Sequence, residues 1–270
     1  MMETILELRD VAVGYGARTL VSGATVTVGR GELVTLLGAN GTGKSTLLRT
    51  LSGDMRPMEG SVGVMGRDES EIDRRELARL VSLVTTERIP GDGLLVEEVV
   101  EMGRHPYTGF FGRLGSDDRR EVRGAMEAVG AWAFRGRRMG SLSDGERQKV
   151  MIARALAQVT PLILLDEPTA FLDVASRVEV LSLLRGLAAE RGKGVVLSSH
   201  DVGSALDLSD RIWLLTGDGR MRVATPAELL EAQREGEPGN GLDELFRGRA
   251  VRFDQSRKDY IAACGREAKN

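Results

Sequence analysis

The chain has 270 residues, of which 41% are hydrophobic and 29% are charged, the composition of a folded protein with one large or two small domains. The formal net charge of −3 is nearly balanced and gives no electrostatic reason to expect a nucleic-acid partner. The apolar runs are too short to cross a bilayer, and the single cysteine, Cys264, cannot form an internal disulfide and fits a reducing cytosol.

The first part of the chain is predicted to be rich in strands. The opening residues carry no basic stretch followed by an apolar one, so we expect no secretory signal. Strand-type segments at 5–8 and 25–28 are separated by glycine turns. Residues 61–64 and 80–84 are also predicted strands, and Asp73 is a good N-cap for a short helix between them.

Residues 38–45 fit the phosphate-binding loop pattern G-x-x-x-x-G-K-[ST] at every fixed position. A strand-type run precedes them and a helix-type run follows, so backbone N–H groups would meet at the positive end of a helix dipole and form an anion site. Lys44 would add a charge for the β- and γ-phosphates, and the Ser45 hydroxyl is suited to ligate Mg²⁺. The alternative is a glycine-rich turn that binds nothing. The candidate nucleotide-binding residues are Gly38, Asn40, Gly41, Gly43, Lys44, Ser45 and Thr46.

Helical periodicity replaces the strand-type runs between about 90 and 159. Strand-type and helix-type runs then alternate to residue 235, which favours right-handed βαβ units. We therefore predict an α/β fold in which a mostly parallel sheet carries an antiparallel N-terminal part and a helical insert. One domain would span 1–235, and 236–270 would be a C-terminal extension after a glycine-rich linker, either an additional subunit contact or a mobile tail.

Two acids, Asp166 and Glu167, follow the apolar run 162–165. They would lie at the carboxyl end of a buried strand, where open α/β sheets bind ligands. Asp166 is suited to bind Mg²⁺, directly or through water, and Glu167 is suited to polarise the water that attacks a γ-phosphate. The alternative is an acidic N-cap of the next helix, which Pro168 makes a poor fit.

Residues 142–148 resemble the signature L-S-G-G-Q of the ATP-binding-cassette (ABC) ATPases. Ser143 and Gly145 match, whereas Asp144 replaces a glycine and Glu146 replaces the glutamine. In that family the stretch binds the γ-phosphate held by the other subunit of a head-to-tail dimer, so the resemblance places two acids near the incoming phosphate. The alternative is a serine helix cap.

The ABC resemblance covers roughly residues 3–232 and implies roles for three more residues. Tyr15 matches the aromatic residue that stacks on adenine, although a core tyrosine is the alternative. Asp173 matches the D-loop aspartate that faces the partner subunit. His200 matches the switch histidine that contacts the γ-phosphate, and its position at a strand end makes a core histidine a poor alternative.

The chain departs from the family after the strand 80–84. ABC ATPases usually have a glutamine there that ligates Mg²⁺ or water, and this chain has none in the loop 84–88. Thr86 is the nearest candidate metal ligand and Glu87 is its neighbour. We expect catalysis or coupling to differ from the family at this loop.

The insert resembles, at 101–107 and 110–114, the ATPases of bacterial importers for iron-siderophore, haem and vitamin B12. In those proteins this region lies near the surface that docks the membrane subunit. His105 and the neighbouring aromatic residues would alternatively form a loop packed on its own subdomain.

The resemblance implies an ATPase that uses ATP and Mg²⁺, with Lys44, Glu167 and His200 as catalytic residues. It would work as a homodimer on the cytoplasmic face of the cell membrane, attached to a separate permease and served indirectly by a periplasmic or lipid-anchored substrate-binding protein, with no nucleic-acid partner. Two alternatives remain: an ABC ATPase that acts on DNA or the ribosome, and a regulatory nucleotide-binding subunit without turnover.

Overall fold

Two sheets and eight helices organise the part of the chain that the computed structural model describes, residues 3–85, 92–109, 112–235, 242–246 and 251–262. The strands are β1 Thr4–Tyr15, β2 Arg18–Gly29, β3 Leu33–Gly38, β4 Glu59–Val64, β5 Arg67–Asp68, β6 Val81–Val84, β7 Leu162–Leu165, β8 Gly194–Ser199, β9 Arg211–Leu215 and β10 Met221–Ala224, with a hairpin of β11 Val251–Asp254 and β12 Asp259–Ala262. The helices are α1 Lys44–Leu51, α2 Arg74–Leu80, α3 Val96–Glu101, α4 Ser116–Ala128, α5 Asp144–Ala157, α6 Val174–Arg191, α7 Val202–Leu208 and α8 Pro226–Glu235.

The central sheet has the strand order β10-β9-β3-β8-β7-β6. All neighbouring pairs from β9 to β6 are parallel, and β10 runs antiparallel at the edge. β3, β7 and β8 are buried over their whole length because other elements cover both faces of the sheet. This arrangement confirms the predicted α/β fold, and it brings the carboxyl ends of β3, β7 and β8 side by side.

The N-terminal sheet has the order β2-β1-β4-β5 and its pairs are antiparallel. β1 and β2 have 12 residues each, much longer than the short segments that the sequence pattern predicts. The reason is that their pairing shifts register between Leu8 and Val11, around Asp10 with its φ of 52°, so the alternation of buried and exposed residues is interrupted. Apolar residues of this sheet share one core with α1 and the central sheet.

The helices α3, α4 and α5 pack together on the other face of the central sheet. Arg104, buried after the end of α3, binds the Asp118 carboxylate of α4 at 2.9 Å and the Ala157 carbonyl of α5 at 2.7 Å. This buried cation therefore ties the helices to one another beyond their apolar contacts. No helix in the described part of the chain is long and apolar enough to cross a membrane.

The C-terminal segment, described at 242–246 and 251–262, packs against α7 and α8. Leu242, Leu245 and Phe253 are buried in one cluster with residues of both helices. Phe253 also donates its backbone N–H to the Asp243 carboxylate at 2.7 Å. The described part of the predicted extension is thus folded onto its own chain.

Candidate active site

The loop 38–45 joins β3 to α1 and forms a tight backbone turn. Gly43, with a φ of 104°, stands directly before α1 in a conformation that side-chain-bearing residues rarely adopt. A Cβ added at Gly38 would lie 2.6 Å from Thr42 Oγ1, so only glycine allows the close approach there. These two glycines hold the turn open to a ligand at the start of α1, and Ser45 is exposed in the first helical turn.

Lys44 is buried beneath this loop. Its Nζ donates to the Gly38 carbonyl at 2.8 Å and lies 3.7 Å from Glu167 Oε1. Burial lowers the pKa of Lys44, while the negative charges of Glu167 and Asp166 oppose that shift. Burial removes water from the Lys44 ammonium, so a further anion nearby would stabilise its charged form. The site therefore favours a phosphate next to Lys44.

Asp166 and Glu167 follow β7 and are held from the neighbouring strand. Ser198 Oγ donates to Asp166 Oδ1 at 2.7 Å and accepts the backbone N–H of Glu167 at 2.9 Å. Glu167 has a φ of 46°, an uncommon value for a residue with a side chain. Ser198 therefore fixes the backbone conformation that orients the carboxylates of Asp166 and Glu167. Ser198 was not among the predicted site residues.

His200 follows β8, and its Nδ1 lies 3.8 Å from Glu167 Oε2. Its side chain is 65% exposed, which excludes the core-histidine alternative. The carboxylate of Glu167 thus stands between Lys44 on one side and His200 on the other. A group bound on the loop 38–45 would meet a cation, a carboxylate and an imidazole at one sheet edge, a set that can neutralise phosphate charge and orient an attacking water.

Tyr15 ends β1 and lies beside the first turn of α1, where its hydroxyl accepts a hydrogen bond from Thr46 Oγ1 at 3.3 Å. The residue is 54% exposed, which excludes the core-tyrosine alternative. An exposed ring next to the phosphate loop is placed to stack on a flat ligand.

Ser143 is the N-cap of α5 and forms a capping box with Glu146. The Ser143 backbone N–H and hydroxyl both donate to Glu146 Oε2, at 2.9 and 3.1 Å, and Arg137 pairs with the other oxygen of Glu146 at 2.8 Å. Gly145 lies against the backbone of the turn before α6, since an added Cβ would be 3.3 Å from the Phe171 carbonyl. The stretch is therefore a capped helix start, as the serine-cap interpretation expects, and its contact with a γ-phosphate stays a prediction.

Comparison with known proteins decides the family. The ABC transporter profile matches residues 21–170. The iron(3+)-hydroxamate import ATP-binding protein FhuC of Bacillus subtilis is 36% identical over 83% of this chain and 84% of that protein. The ferric enterobactin transport ATP-binding protein FepC of Escherichia coli is 35% identical over 86% and 87%.

The chain belongs to the ABC transporter family. It is an ATP-binding ATPase subunit of that family. Among solved structures, one assigned to a metal-chelate type ABC transporter in an inward-facing conformation matches with a TM-score of 0.77 and 27% identity, over 96% of this chain and 95% of that one. A dimeric bacterial ABC transporter cassette matches with a TM-score of 0.72 and 28% identity, over 82% and 99%.

Within this ABC cassette the structure brings some predicted residues together and leaves others apart. Lys44, Asp166, Glu167 and His200 meet through direct contacts or through Ser198. Among the described residues, no hydrogen bond joins Ser143, Gly145 or Asp173 to the phosphate loop. Asp173 instead caps α6, where its carboxylate accepts the Ser176 N–H at 2.8 Å and the Ser176 hydroxyl at 3.1 Å.

The two described metal-ligand candidates, Ser45 and Asp166, suit Mg²⁺. Ser45 supplies a hydroxyl and Asp166 a carboxylate at the sheet edge, the hard oxygen ligands that Mg²⁺ prefers alongside nucleotide phosphates. Asp166 uses one oxygen to accept from Ser198, so the orientation of its carboxylate is already set. Thr86 and Glu87, the predicted replacements for the missing glutamine, lie outside the described residues.

The loop after α3 packs on its own surroundings. The Tyr107 ring lies 4.0 Å from the Arg104 guanidinium and 5.2 Å from that of Arg79, and its hydroxyl donates to the Gln158 carbonyl at 2.8 Å. His105 is exposed beside it. Tyr107 therefore behaves as the local-packing alternative expects, while Phe110 and Phe111 lie outside the described residues.

Proposed function

We propose that this chain is the ATPase subunit of a bacterial ABC importer that takes up a metal chelate of the iron-siderophore, haem or cobalamin type. The observation that carries the catalytic part is the row Lys44, Glu167 and His200, in which Glu167 lies within 3.8 Å of both neighbours. The relatives FhuC and FepC are named for import of ferric hydroxamate and ferric enterobactin, which supports the substrate class.

Hydrolysis on this arrangement is in-line attack of water on the γ-phosphate of ATP. Lys44 neutralises phosphate charge, Glu167 orients the water and accepts its proton, and His200 stabilises the charge that develops on the γ-phosphoryl group as it passes from ADP to water. Mg²⁺, bound through Ser45 and Asp166 and assisted by Thr86, would supply further charge neutralisation. Gly38, Asn40, Gly41, Gly43 and Thr46 would cradle the phosphates, and Tyr15 would stack on the adenine.

The active form is proposed to be a head-to-tail homodimer. Ser143 lies exposed at the start of α5 with Gly145 two residues further on, and Asp173 caps the neighbouring helix α6. Because no hydrogen bond among the described residues joins them to their own phosphate loop, a second copy is the natural source of the ATP that they would contact. The exposed apolar residues Phe171 and Val174 on the same side support a covered surface there.

A separate permease is proposed to dock at a cleft of about 500 Å³ between α1, α2, β6 and α5. Arg49, Arg74 and Arg154 line it, and burial lowers the pKa of Arg154. The cleft also reaches Thr85, just before the loop that lacks the family's glutamine. The positive charge of the three arginines suits a loop of the membrane subunit that carries acidic side chains or the carbonyl end of a helix.

The remaining parts of the proposal concern location and organisation. The chain would lie on the cytoplasmic face of the cell membrane, held there by the permease, and would meet the substrate-binding protein only indirectly and nucleic acid not at all. The ATPase domain would span 1–235, with the helical subdomain inserted at about 90–159, and 236–270 would be the extension.

Glu167→Gln tests the catalytic proposal. The amide keeps the size of the side chain but cannot accept the proton of the attacking water, so turnover should fall by at least about 100-fold while ATP still binds. The variant should also accumulate as an ATP-bound dimer in size-exclusion chromatography. Steady-state hydrolysis near the wild-type rate would show that Glu167 does not have this role.

The transport proposal needs a second measurement. The chain is reconstituted in vesicles with a candidate permease from the same genome, and uptake of a ferric hydroxamate and of cyanocobalamin is measured with wild type and with Glu167→Gln. We expect ATP-dependent uptake of one chelate class by wild type alone. ATP hydrolysis without uptake of either would leave an ABC ATPase whose importer assignment is wrong.

A further inference from the structure

The position of His200 depends on the first turn of α7, because α7 begins two residues later. Asp201 is the N-cap of that helix and accepts the Ser204 backbone N–H on Oδ1 at 3.0 Å. The backbone N–H of Asp201 in turn donates to Ser199 Oγ at 2.9 Å. Hydrogen bonds thus hold the residues on both sides of His200. Because Asp201 directly follows His200, a shift of the Asp201 carboxylate would also shift the imidazole.

Arg177 reaches this cap from another helix. Its Nη1 lies 3.6 Å from Asp201 Oδ2. Its backbone N–H donates to the carbonyl of Asp173, the cap of α6, at 2.9 Å. This is the first helical hydrogen bond of α6, so Arg177 stands in the first turn of that helix and reaches the turn before α7 with its side chain.

The contact between Arg177 and Asp201 is loose. Arg177 Nε is buried and has no hydrogen-bond partner among the described residues. The same kind of pair on the same helix, Arg185 with Asp210, has a separation of only 2.5 Å. A buried N–H without a partner is unfavourable, so the guanidinium gains if it moves onto the Asp201 carboxylate.

We propose that Arg177 is a positioning residue for ATP hydrolysis, because its pair with Asp201 sets the place of His200 and links it to the first turn of α6. The proposal rests on the catalytic role proposed for His200. Arg177 contacts no reacting atom itself and acts through the Asp201 cap. Since the pair is partly exposed, it contributes little to the stability of the fold, and its loss should affect turnover far more than unfolding.

The test compares Arg177→Met, Arg177→Lys, Asp201→Asn and the double variant Arg177→Met/Asp201→Asn in the full chain. We measure kcat and KM for ATP, and the affinity for a fluorescent ATP analogue. Asparagine keeps the α7 cap because its amide oxygen accepts the same N–H. Arg177→Met and Asp201→Asn should each lower kcat about three- to tenfold, with ATP affinity changed by less than about twofold.

Two features separate positioning from a general structural effect. Arg177→Lys should recover most of kcat because the positive charge is restored. The double variant should lose no more than either single variant, since both break the same pair. Wild-type kcat in Arg177→Met, equal losses in Arg177→Met and Arg177→Lys, or losses that multiply in the double variant would each overturn the proposal. If Arg177→Met fails to fold, Asp201→Asn and Arg177→Lys still decide it.

Arg185→Met is the matched control, since it removes an arginine ion pair from the same helix at a distance from His200, and its kcat should equal that of wild type. His200→Ala distinguishes the role of His200 from the role of Arg177. Turnover retained in His200→Ala would mean that the role of His200 itself is wrong. Turnover lost in His200→Ala but kept in Arg177→Met would overturn only the role of Arg177.

Discussion

Glu146 is the residue at which the departure from the ABC signature has a visible structural effect. The backbone N–H of Ser143, with further help from the Ser143 hydroxyl and Arg137, holds the pKa of Glu146 below its ordinary 4.5. The carboxylate is therefore ionised at neutral pH. It lies at the start of α5, which would face the γ-phosphate of the partner subunit in the proposed dimer. A glutamine would accept the same N–H without a negative charge.

Glu146→Gln should lower the KM for ATP about two- to fivefold, because it removes a like charge next to the incoming phosphate while the cap stays in place. Steady-state hydrolysis measured against ATP concentration checks this. Glu127→Gln on α4 is the control, since it removes an exposed, arginine-paired carboxylate on a different helix. A KM that stays the same or rises in Glu146→Gln would show that the acid does not oppose ATP at this position.

At the scale of whole elements, the described residues of the C-terminal segment contribute to the core beneath the phosphate-binding edge. Phe253 and Leu242 share their cluster with Leu37, the last residue before Gly38, and with Val202 at the start of α7. Gly203 of α7 lies so close to the segment that an added Cβ would be 3.2 Å from the Lys258 carbonyl, and Lys258 pairs with Asp207 of the same helix. The segment thus contacts α7 near both of its ends.

Phe253→Ala should lower the free energy of unfolding by about 3 kcal/mol, the usual cost of removing a buried phenylalanine. Urea denaturation followed by circular dichroism measures the change. Met58→Ala, at an exposed methionine, should change it by less than about 0.5 kcal/mol. A loss below about 1 kcal/mol in Phe253→Ala would mean that the segment does not share the core in solution.

Across the whole molecule, acids at helix starts give the fold a common pH response. Each accepts a backbone N–H that holds its pKa below the ordinary value, so each stabilises the fold above that value and loses this contribution as the pH falls through the lowered pKa. Burial raises the pKa of Glu69 and Glu101, which respond in the opposite sense. The residues with lowered pKa at helix starts are Asp118, Glu146, Asp173 and Glu228.

The free energy of unfolding should therefore fall steeply below about pH 4. Urea titrations at a series of pH values measure this dependence. Glu228→Gln provides the test, because glutamine can keep the hydrogen bond with the Thr225 N–H and yet has no proton to gain. Its stability should depend less steeply on pH in the acid range than that of wild type. An identical slope would exclude Glu228 as a contributor.

The parts of the site that follow local patterns could be predicted from the sequence. The loop 38–45, the pair Asp166-Glu167 and His200 each follow an apolar run that folds as a strand of the parallel sheet, and such strands end at one edge. The central strands were predictable for the same reason, since their residues are apolar on both faces.

The rest depends on contacts between distant segments. Ser198 holds Asp166 only because β8 pairs with β7, and Arg177 meets Asp201 only because the fold brings the starts of α6 and α7 near each other. The strand β10 and the hairpin of β11 and β12 have weak patterns of their own and are stabilised by neighbours, β10 by its pairing with β9. Sequence periodicity does not contain this information.

The backbone conformation of Glu167 has a consequence for anyone who engineers this ATPase. A φ of 46° costs a side-chain-bearing residue about 1–2 kcal/mol, and glycine avoids that cost. A library screened for heat resistance alone would enrich glycine or asparagine at position 167 and would select away the proposed water-activating carboxylate. Selection of this chain for thermostability must therefore measure phosphate release in every round, because otherwise the most stable variants will have lost ATP hydrolysis.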